Sequence, residues 1–418
     1  MGYLPVIAVR NLSRHKLRTL ISIIAIALVV AIVVVARGHI VGYLESTYDS
    51  YINYDTGHVK IINQEFEGRE RLMSLNYPVA GFAQDGISKM KEELAEVDEV
   101  KYILPRIKFG GAVSQEDELT NVMGWGLNIE QEIAAIDFDQ QLKAGRMPLA
   151  DSEEIIMGQQ LLERLELAVG EEITILYNTA IGSFQGSSFE IVGALETGLG
   201  LIDGNVFILD LSQAQQMLNM SDEATELLLI GADRNRTDSL VMEMDELFGS
   251  FEAATEYSII PWNAPGKIID YFKIGERIYN IIYIFFILMG SIILINTMLM
   301  IVRDRTREIG VMLALGLKSR EIWRLFLLEG IFMGIIGSFI GIILGGVVTK
   351  VFSIHGIDYG EAMEVLSDDL LLETVAYTDF SLENLIFSFL LGVVIVTIAC
   401  IIPARRAAEL EPSEALRD

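Results

Sequence analysis

The sequence predicts a membrane protein: four transmembrane α-helices, with a large α+β extracytoplasmic domain of two lobes inserted between helices 1 and 2. Three observations predict it. Four long apolar runs punctuate the 418 residues and raise the mean hydropathy to +0.41. Basic residues gather beside particular ends of those runs. Between the first and second runs lies a long stretch in which short strand-like and helix-like patterns alternate.

The apolar runs come first because they fix the topology. Residues 19–36 are uncharged between Arg18 and Arg37, and residues 278–302 are uncharged between Arg277 and Arg303. Residues 325–349 carry one charge, Glu329, and residues 384–404 carry none between Glu383 and Arg405. At about 1.5 Å per residue, each is long enough to cross a hydrocarbon core of roughly 30 Å. The first run follows Arg10, Arg14, Lys16 and Arg18, as a signal peptide would. Its apolar core is too long for one, however, and no clear small-residue cleavage site follows, so a retained anchor is expected.

Orientation follows from the basic residues. Residues 1–18, 303–324 and 404–418 hold Arg10, Arg14, Lys16, Arg18, Arg303, Arg305, Arg307, Lys318, Arg320, Arg324, Arg405, Arg406 and Arg417. Residues 351–383 hold no Lys or Arg at all. Both termini are therefore expected in the cytoplasm. The resulting plan is an N-terminal amphipathic helix (1–18), TM1 (19–37), an extracytoplasmic domain (38–270), a stalk with TM2 (271–302) and a cytoplasmic segment (303–324). TM3 (325–350), a short outer loop (351–383), TM4 (384–404) and a cytoplasmic tail (405–418) complete it.

Charge is distributed unevenly over that plan. Residues 38–270 contain 41 Asp and Glu against 14 Lys and Arg, a net of −27, which is the net charge of the whole chain. Such a surface favours solubility and disfavours nucleic acid, which needs a basic face. Strand-like runs occur at 57–63, 100–113, 154–157, 172–177, 189–195, 206–209, 226–232 and 253–260, with helical patterns at 87–97, 159–165, 212–218 and 239–248. Residues 39–113 and 226–270 would form a membrane-proximal lobe, with 114–225 inserted as a second lobe.

Catalytic chemistry is not legible. The four histidines, His15, His39, His58 and His355, have no metal-ligand spacing, and the single cysteine, Cys400, can form no intrachain disulfide. The stretch from Gly310 to Lys318 superficially suggests a phosphate-binding loop. Five residues separate Gly310 from Gly316, however, and Leu317 lies between Gly316 and Lys318. The P-loop needs four residues between its glycines and lysine directly after the second. No nucleotide or other cofactor is therefore expected on this chain. Ile309, Met312, Leu313 and Gly316 instead share one helical face at i, i+3, i+4 and i+7. That pattern suits either a helix lying in the membrane interface or one docking on a partner.

Three motifs carry a resemblance that decides between these. RTREIGVMLALG (305–316) resembles the cytoplasmic loop of FtsX-like and MacB-like ABC transporter permeases. PARRAAELEPSEALRD (403–418) resembles that family's C-terminal signature, with Pro403, Ala407, Pro412, Ala415 and Leu416 at the matching places. VRNLSRHKLRTLIS (9–22) is similar to its N-terminal helix, and Glu329 sits where the family often has an acid. The resemblance implies that residues 303–322 form a coupling helix. Arg305, Arg307, Glu308, Ile309, Gly310, Met312, Leu313 and Gly316 would dock on a separate ABC ATPase subunit, which binds ATP and magnesium. Two permease chains, alike or different, would work with two ATPases by mechanotransmission, with residues 268–277 continuing TM2 outward as a stalk.

DTGHVKI (55–61) and the stretch 144–175 further resemble the lipoprotein-releasing branch, which extracts lipid-anchored cargo from the inner membrane. There one partner bears a long hairpin that recruits a periplasmic carrier, and the corresponding 177–188 is short here. MacB-like efflux through a periplasmic adaptor, and FtsX-like regulation, are the alternatives. Small residues would allow close helix approach in lipid: Gly290 and Ser291 at a dimer axis, or Gly334, Gly337, Gly341, Gly345 and Gly346, which more naturally serve packing within the chain.

Overall fold

The computed structural model describes residues 4–14, 16–115, 118–251, 256–264, 268–359 and 375–411. They divide into two compact units. One comprises Met1–Glu45, Asp270–Ile357 and Ala376–Asp418, the other Ser46–Ile269 and Asp358–Val375. In chain order, α1 (Leu4–Arg14) and α2 (Lys16–Tyr51) come first, and a π-type turn, Ile52–Thr56, ends α2. There follow β1 (Val59–Asn63), α3 (Ile87–Leu94), β2 (Val100–Gln115), β3 (Glu118–Leu127), α4 (Ile129–Ile136) and β4 (Leu142–Gly145). Next are β5 (Glu154–Gly158), α5 (Gln159–Arg164), β6 (Glu172–Asn178), β7 (Phe184–Leu195), α6 (Gly200–Asn205), β8 (Val206–Asp210) and α7 (Leu211–Leu218). The extracytoplasmic part ends with β9 (Glu226–Gly231), α8 (Thr237–Gly249) and β10 (Tyr257–Pro261). The helices α9 (Ile268–Asp304), α10 (Thr306–Ala314), α11 (Ser319–His355) and α12 (Leu382–Ala408) follow, with the two-residue strands Ile357–Asp358 and Val375–Ala376 between the last two.

Four of these helices, among the described residues, are long and apolar enough to span a membrane, and they carry the four runs read from the sequence. In lipid a helix is the one local structure that pairs every backbone group of a single span. The 37 residues of α9 reach about 55 Å, well beyond a bilayer core, as a stalk requires.

Within the membrane unit, α11 is the hub, and glycines on two of its faces explain why. A Cβ built on Gly337, Gly341 or Gly345 would stand 2.7–2.8 Å from side-chain or backbone atoms of Ile26, Val30, Ala31 and Val34 on α2. On another face, Gly330 and Gly334 lie against Cys400 and Val396 of α12. The small residues of the third span thus serve packing within the chain. So does Gly290 on α9, where an added Cβ would meet Val29 of α2 at 2.6 Å. Gly290 was expected at a dimer axis; its missing side chain is already filled by Val29.

The extracytoplasmic unit is built on one ten-stranded sheet in the order β10-β1-β9-β2-β3-β8-β5-β7-β4, with β6 bonded to both β2 and β7. The long strand β2 joins the two expected lobes. Its first half pairs with β9, which pairs with β1 and in turn β10. Its second half belongs to a ring in which β2, β3, β8, β5, β7 and β6 are successive hydrogen-bonded neighbours, closing back onto β2. Closure removes exposed strand edges. Inside, Phe109 meets Phe207 edge-on with ring centroids 5.6 Å apart, among buried Val113, Ile175 and Ile191.

The strand β3 and the helix α4 were not anticipated from the sequence. Gly124 and Gly126 interrupt the alternation of β3 that would have betrayed it, and the packing requires both. An added Cβ would fall 2.2 Å from the Phe109 ring at Gly124, and 2.4 Å from Ala214 at Gly126. The lone His58 is structural: its Nδ1 accepts the Gly231 N–H at 3.1 Å.

These contacts separate two glycine substitutions on one helix. Gly341→Val should destabilise the purified protein by about 1–3 kcal/mol through overpacking, because the Ala27 carbonyl, 2.8 Å from the added Cβ, cannot move aside. Gly346→Ala should be near neutral, its nearest neighbour being the tip of Leu385 at 3.4 Å. Thermal melts in detergent would show the difference.

Candidate coupling site

The segment between α9 and α11 is shaped by two backbone events. At Arg305 the α9 ladder ends, the Arg305 N–H reaching the carbonyls of Ile301 and Val302 at 3.1 and 3.2 Å, and α10 begins afresh. At Gly316, with φ +95°, α10 ends. The Gly316 N–H bonds the Leu313 carbonyl at 3.0 Å and the Leu317 N–H bonds that of Met312 at 3.1 Å. This is a Schellman closure, which needs the left-handed residue that glycine supplies most easily. Gly316 therefore terminates the helix. At the start of α11, the Glu321 carboxylate accepts the Lys318 N–H at 2.9 Å.

Arg305 and Glu329 hold this segment in place. Both side chains are 4% exposed, and Arg305 Nη1 lies 3.0 Å from each carboxylate oxygen of Glu329. Asn11 of α1 donates its Nδ2 to Glu329 Oε1 at 2.7 Å. Arg305 Nε reaches Glu308 at 3.2 Å, and Arg14 reaches the other oxygen of Glu308 at 3.2 Å. The guanidinium also lies over the Phe326 ring, 5.3 Å from its centroid. Three helices, α1, α10 and α11, are thereby joined through one buried carboxylate. Isolated, that carboxylate would be costly; paired and hydrogen-bonded, it is a fixed point.

The anchor decides which way α10 faces. Ile309 is fully buried among Ile322 and Phe326, and Gly310 is buried beside it. Met312 and Leu313 are half-buried against the same membrane core. The stripe expected to dock on a partner therefore seats α10 on its own unit. The face turned outward carries Arg307, Val311, Ala314, Leu315 and Lys318, with Val311 44% and Leu315 78% exposed. Of the tail residues, Pro403 and Ala407 are buried in α12, while Pro412, Ala415 and Leu416 lie outside the described residues. Asn11 was missed from sequence because nothing local links it to a carboxylate 318 residues away.

Residues 19–247 match the family model of the MacB-like periplasmic core domain, and residues 280–412 that of the FtsX-like permease C-terminal region. The chain belongs to this family of ABC transporter permeases, whose members work with an ATPase subunit. It is 25% identical over 318 residues to the lipoprotein-releasing system transmembrane protein LolC of Xylella fastidiosa, covering 73% of this chain and 75% of that one. It is 23% identical over 341 residues to LolE of Haemophilus influenzae, covering 78% and 80%. A third relative is the pyoverdine export ATP-binding/permease protein PvdT of Pseudomonas fluorescens, 31% identical over 199 residues but covering 45% of this chain and 26% of its own.

Breaking the anchor from one side should be worse than removing it. Glu329→Gln, which leaves Arg305 buried with only the half-buried Glu308 as a counter-charge, should cost about 3 kcal/mol, whereas the double variant Arg305→Met/Glu329→Leu should regain most of that loss. Equilibrium unfolding of the three proteins in the same detergent would measure both effects.

Proposed function

We propose that this chain is the membrane subunit of a complex in which a separate ATPase drives release of lipid-anchored proteins from the outer leaflet of the cytoplasmic membrane. Two ATPases would serve two permease chains, and the nucleotide with its magnesium would be held by the ATPases. The basic residues at 1–18, 303–324 and 404–418 support cytoplasmic termini and an extracytoplasmic position for the acidic domain.

The observation that carries the coupling part is the outward face of α10. Val311 and Leu315 stand exposed between Arg307 and Lys318 on a helix whose opposite face is locked by Arg305 and Glu329. A rigidly held helix with a bare apolar patch suits transmission of force from a docked partner. The cargo rests on relatives: the lipoprotein-releasing proteins align over about three quarters of both chains. Export through an adaptor is the second reading, favoured by the higher identity to PvdT over a shorter stretch.

Leu315→Asp should abolish co-purification with the ATPase and leave membrane insertion intact, because the side chain packs against little of its own chain. Normal recovery of the ATPase with that variant would rule out this docking face. Native mass spectrometry of the detergent-extracted complex tests the cargo. A bound acylated lipoprotein is the expected result; a stable adaptor complex without lipid cargo would move the assignment to export.

A further inference from the structure

The outer end of α2 is clamped by an arginine that the coupling site does not involve. Arg106 of β2 is 1% exposed, and its guanidinium makes four hydrogen bonds of 2.8 Å. Nε and Nη2 meet the two oxygens of Glu132 on α4, itself 1% exposed. Nη1 donates to the carbonyl of Tyr54 and Nη2 to that of Asn53. Both carbonyls belong to the turn Ile52–Thr56 that ends α2. The last carbonyls of a helix have no partner within it and carry the negative end of its dipole, so a cation there is favoured. Here that cation comes from the middle of a sheet.

The surroundings are arranged to the same end. Ile52 packs among Leu104, Leu228 and Ile230 of the sheet. Tyr48, one turn earlier, meets Trp262 edge-on at 5.3 Å, and Arg234 reaches Asp49 at 3.5 Å. Asp55 joins a second group of charges with Lys108 at 3.2 Å and Lys60 at 3.8 Å, which also includes Glu226 and Glu70. Burial opposes the charge of Lys60, but Asp55, Glu226 and Glu70 outweigh it and hold its pKa above the ordinary lysine range. A planar fork can satisfy a carboxylate and two carbonyls together; an ammonium cannot match that geometry.

We infer that Arg106 is a positioning residue for force transmission: its fork fixes the end of the first membrane-spanning helix to the extracytoplasmic sheet, so that a displacement of α2 during the ATP cycle moves the sheet with it. This rests on the coupled-transport reading above and adds to it the residue through which α2 acts.

Two variants and one distance separate this role from simple stabilisation. Arg106→Lys keeps the charge opposite Glu132 but loses the fork. It should retain ATP hydrolysis in the assembled complex and lose cargo release by roughly tenfold, the scale of a typical coupling free energy. Glu132→Gln leaves the arginine free to hold both carbonyls. It should melt at a lower temperature and keep its ratio of release to hydrolysis. Equal loss of that ratio in both variants, or an unchanged ratio in Arg106→Lys, overturns the inference. Spin labels at Ser46→Cys on the outer end of α2 and Gln185→Cys on β7, both within the extracytoplasmic unit and in a Cys400→Ala background, give a readout that needs neither variant nor cargo. One narrow distance shared by the nucleotide-free and ATP-trapped complexes is expected, and a shift between the two states overturns the clamp. If the unaltered complex releases no lipoprotein while the label distance holds, the cargo reading fails and the clamp stands.

Discussion

The contact between Arg305 and Glu329 is the constraint on which one end of the membrane unit of this permease depends. An ion pair withdrawn from water must make good its lost hydration with near-complete hydrogen bonding. Glu329 does so with Arg305 and Asn11, and Arg305 with Glu329 and Glu308. Because these residues lie on α1, α10 and α11, satisfying the pair also fixes how those helices meet. The direction of the α10 surface follows: Ile309 goes inward because Arg305, one turn earlier, is held inward.

The extracytoplasmic unit uses the same device at a different helix end. Arg106 sits at the carbonyls that close α2 as Arg305 sits at the break between α9 and α10, and each pairs with a buried glutamate. Helix ends are where a backbone has groups to spare, so Arg106 meets two carbonyls as well as a carboxylate, whereas Arg305 meets two carboxylates. The guanidinium fork holds each of these ends in one geometry.

The acidic residues of the extracytoplasmic domain include two physically distinct groups. Glu132 and Glu226 are buried and opposed by Arg106, Lys60 and Lys108. Glu92, Glu93, Glu130 and Glu163 lie exposed on helices, where water solvates them. The net charge of −27 is thus mainly a property of the surface, while the few paired carboxylates determine shape.

The sequence by itself determined the spans and the family, because hydropathy and charge act locally and leave their record along the chain. The runs 19–36, 278–302, 325–349 and 384–404 all lie in long helices, and most of the strands expected between 57 and 260 formed where alternation was clean. What escaped had no local signature. Gly124 and Gly126 hid β3 because the bulk that fills their places belongs to Phe109 and Ala214. The apolar stripe from Ile309 to Leu313 announced a buried face without saying what would bury it; the tertiary structure chose the chain's own core. Asn11 with Glu329, and Arg106 with the end of α2, are unions of residues far apart in sequence, and only folding brings such residues close enough for the desolvation of one to be offset by the other.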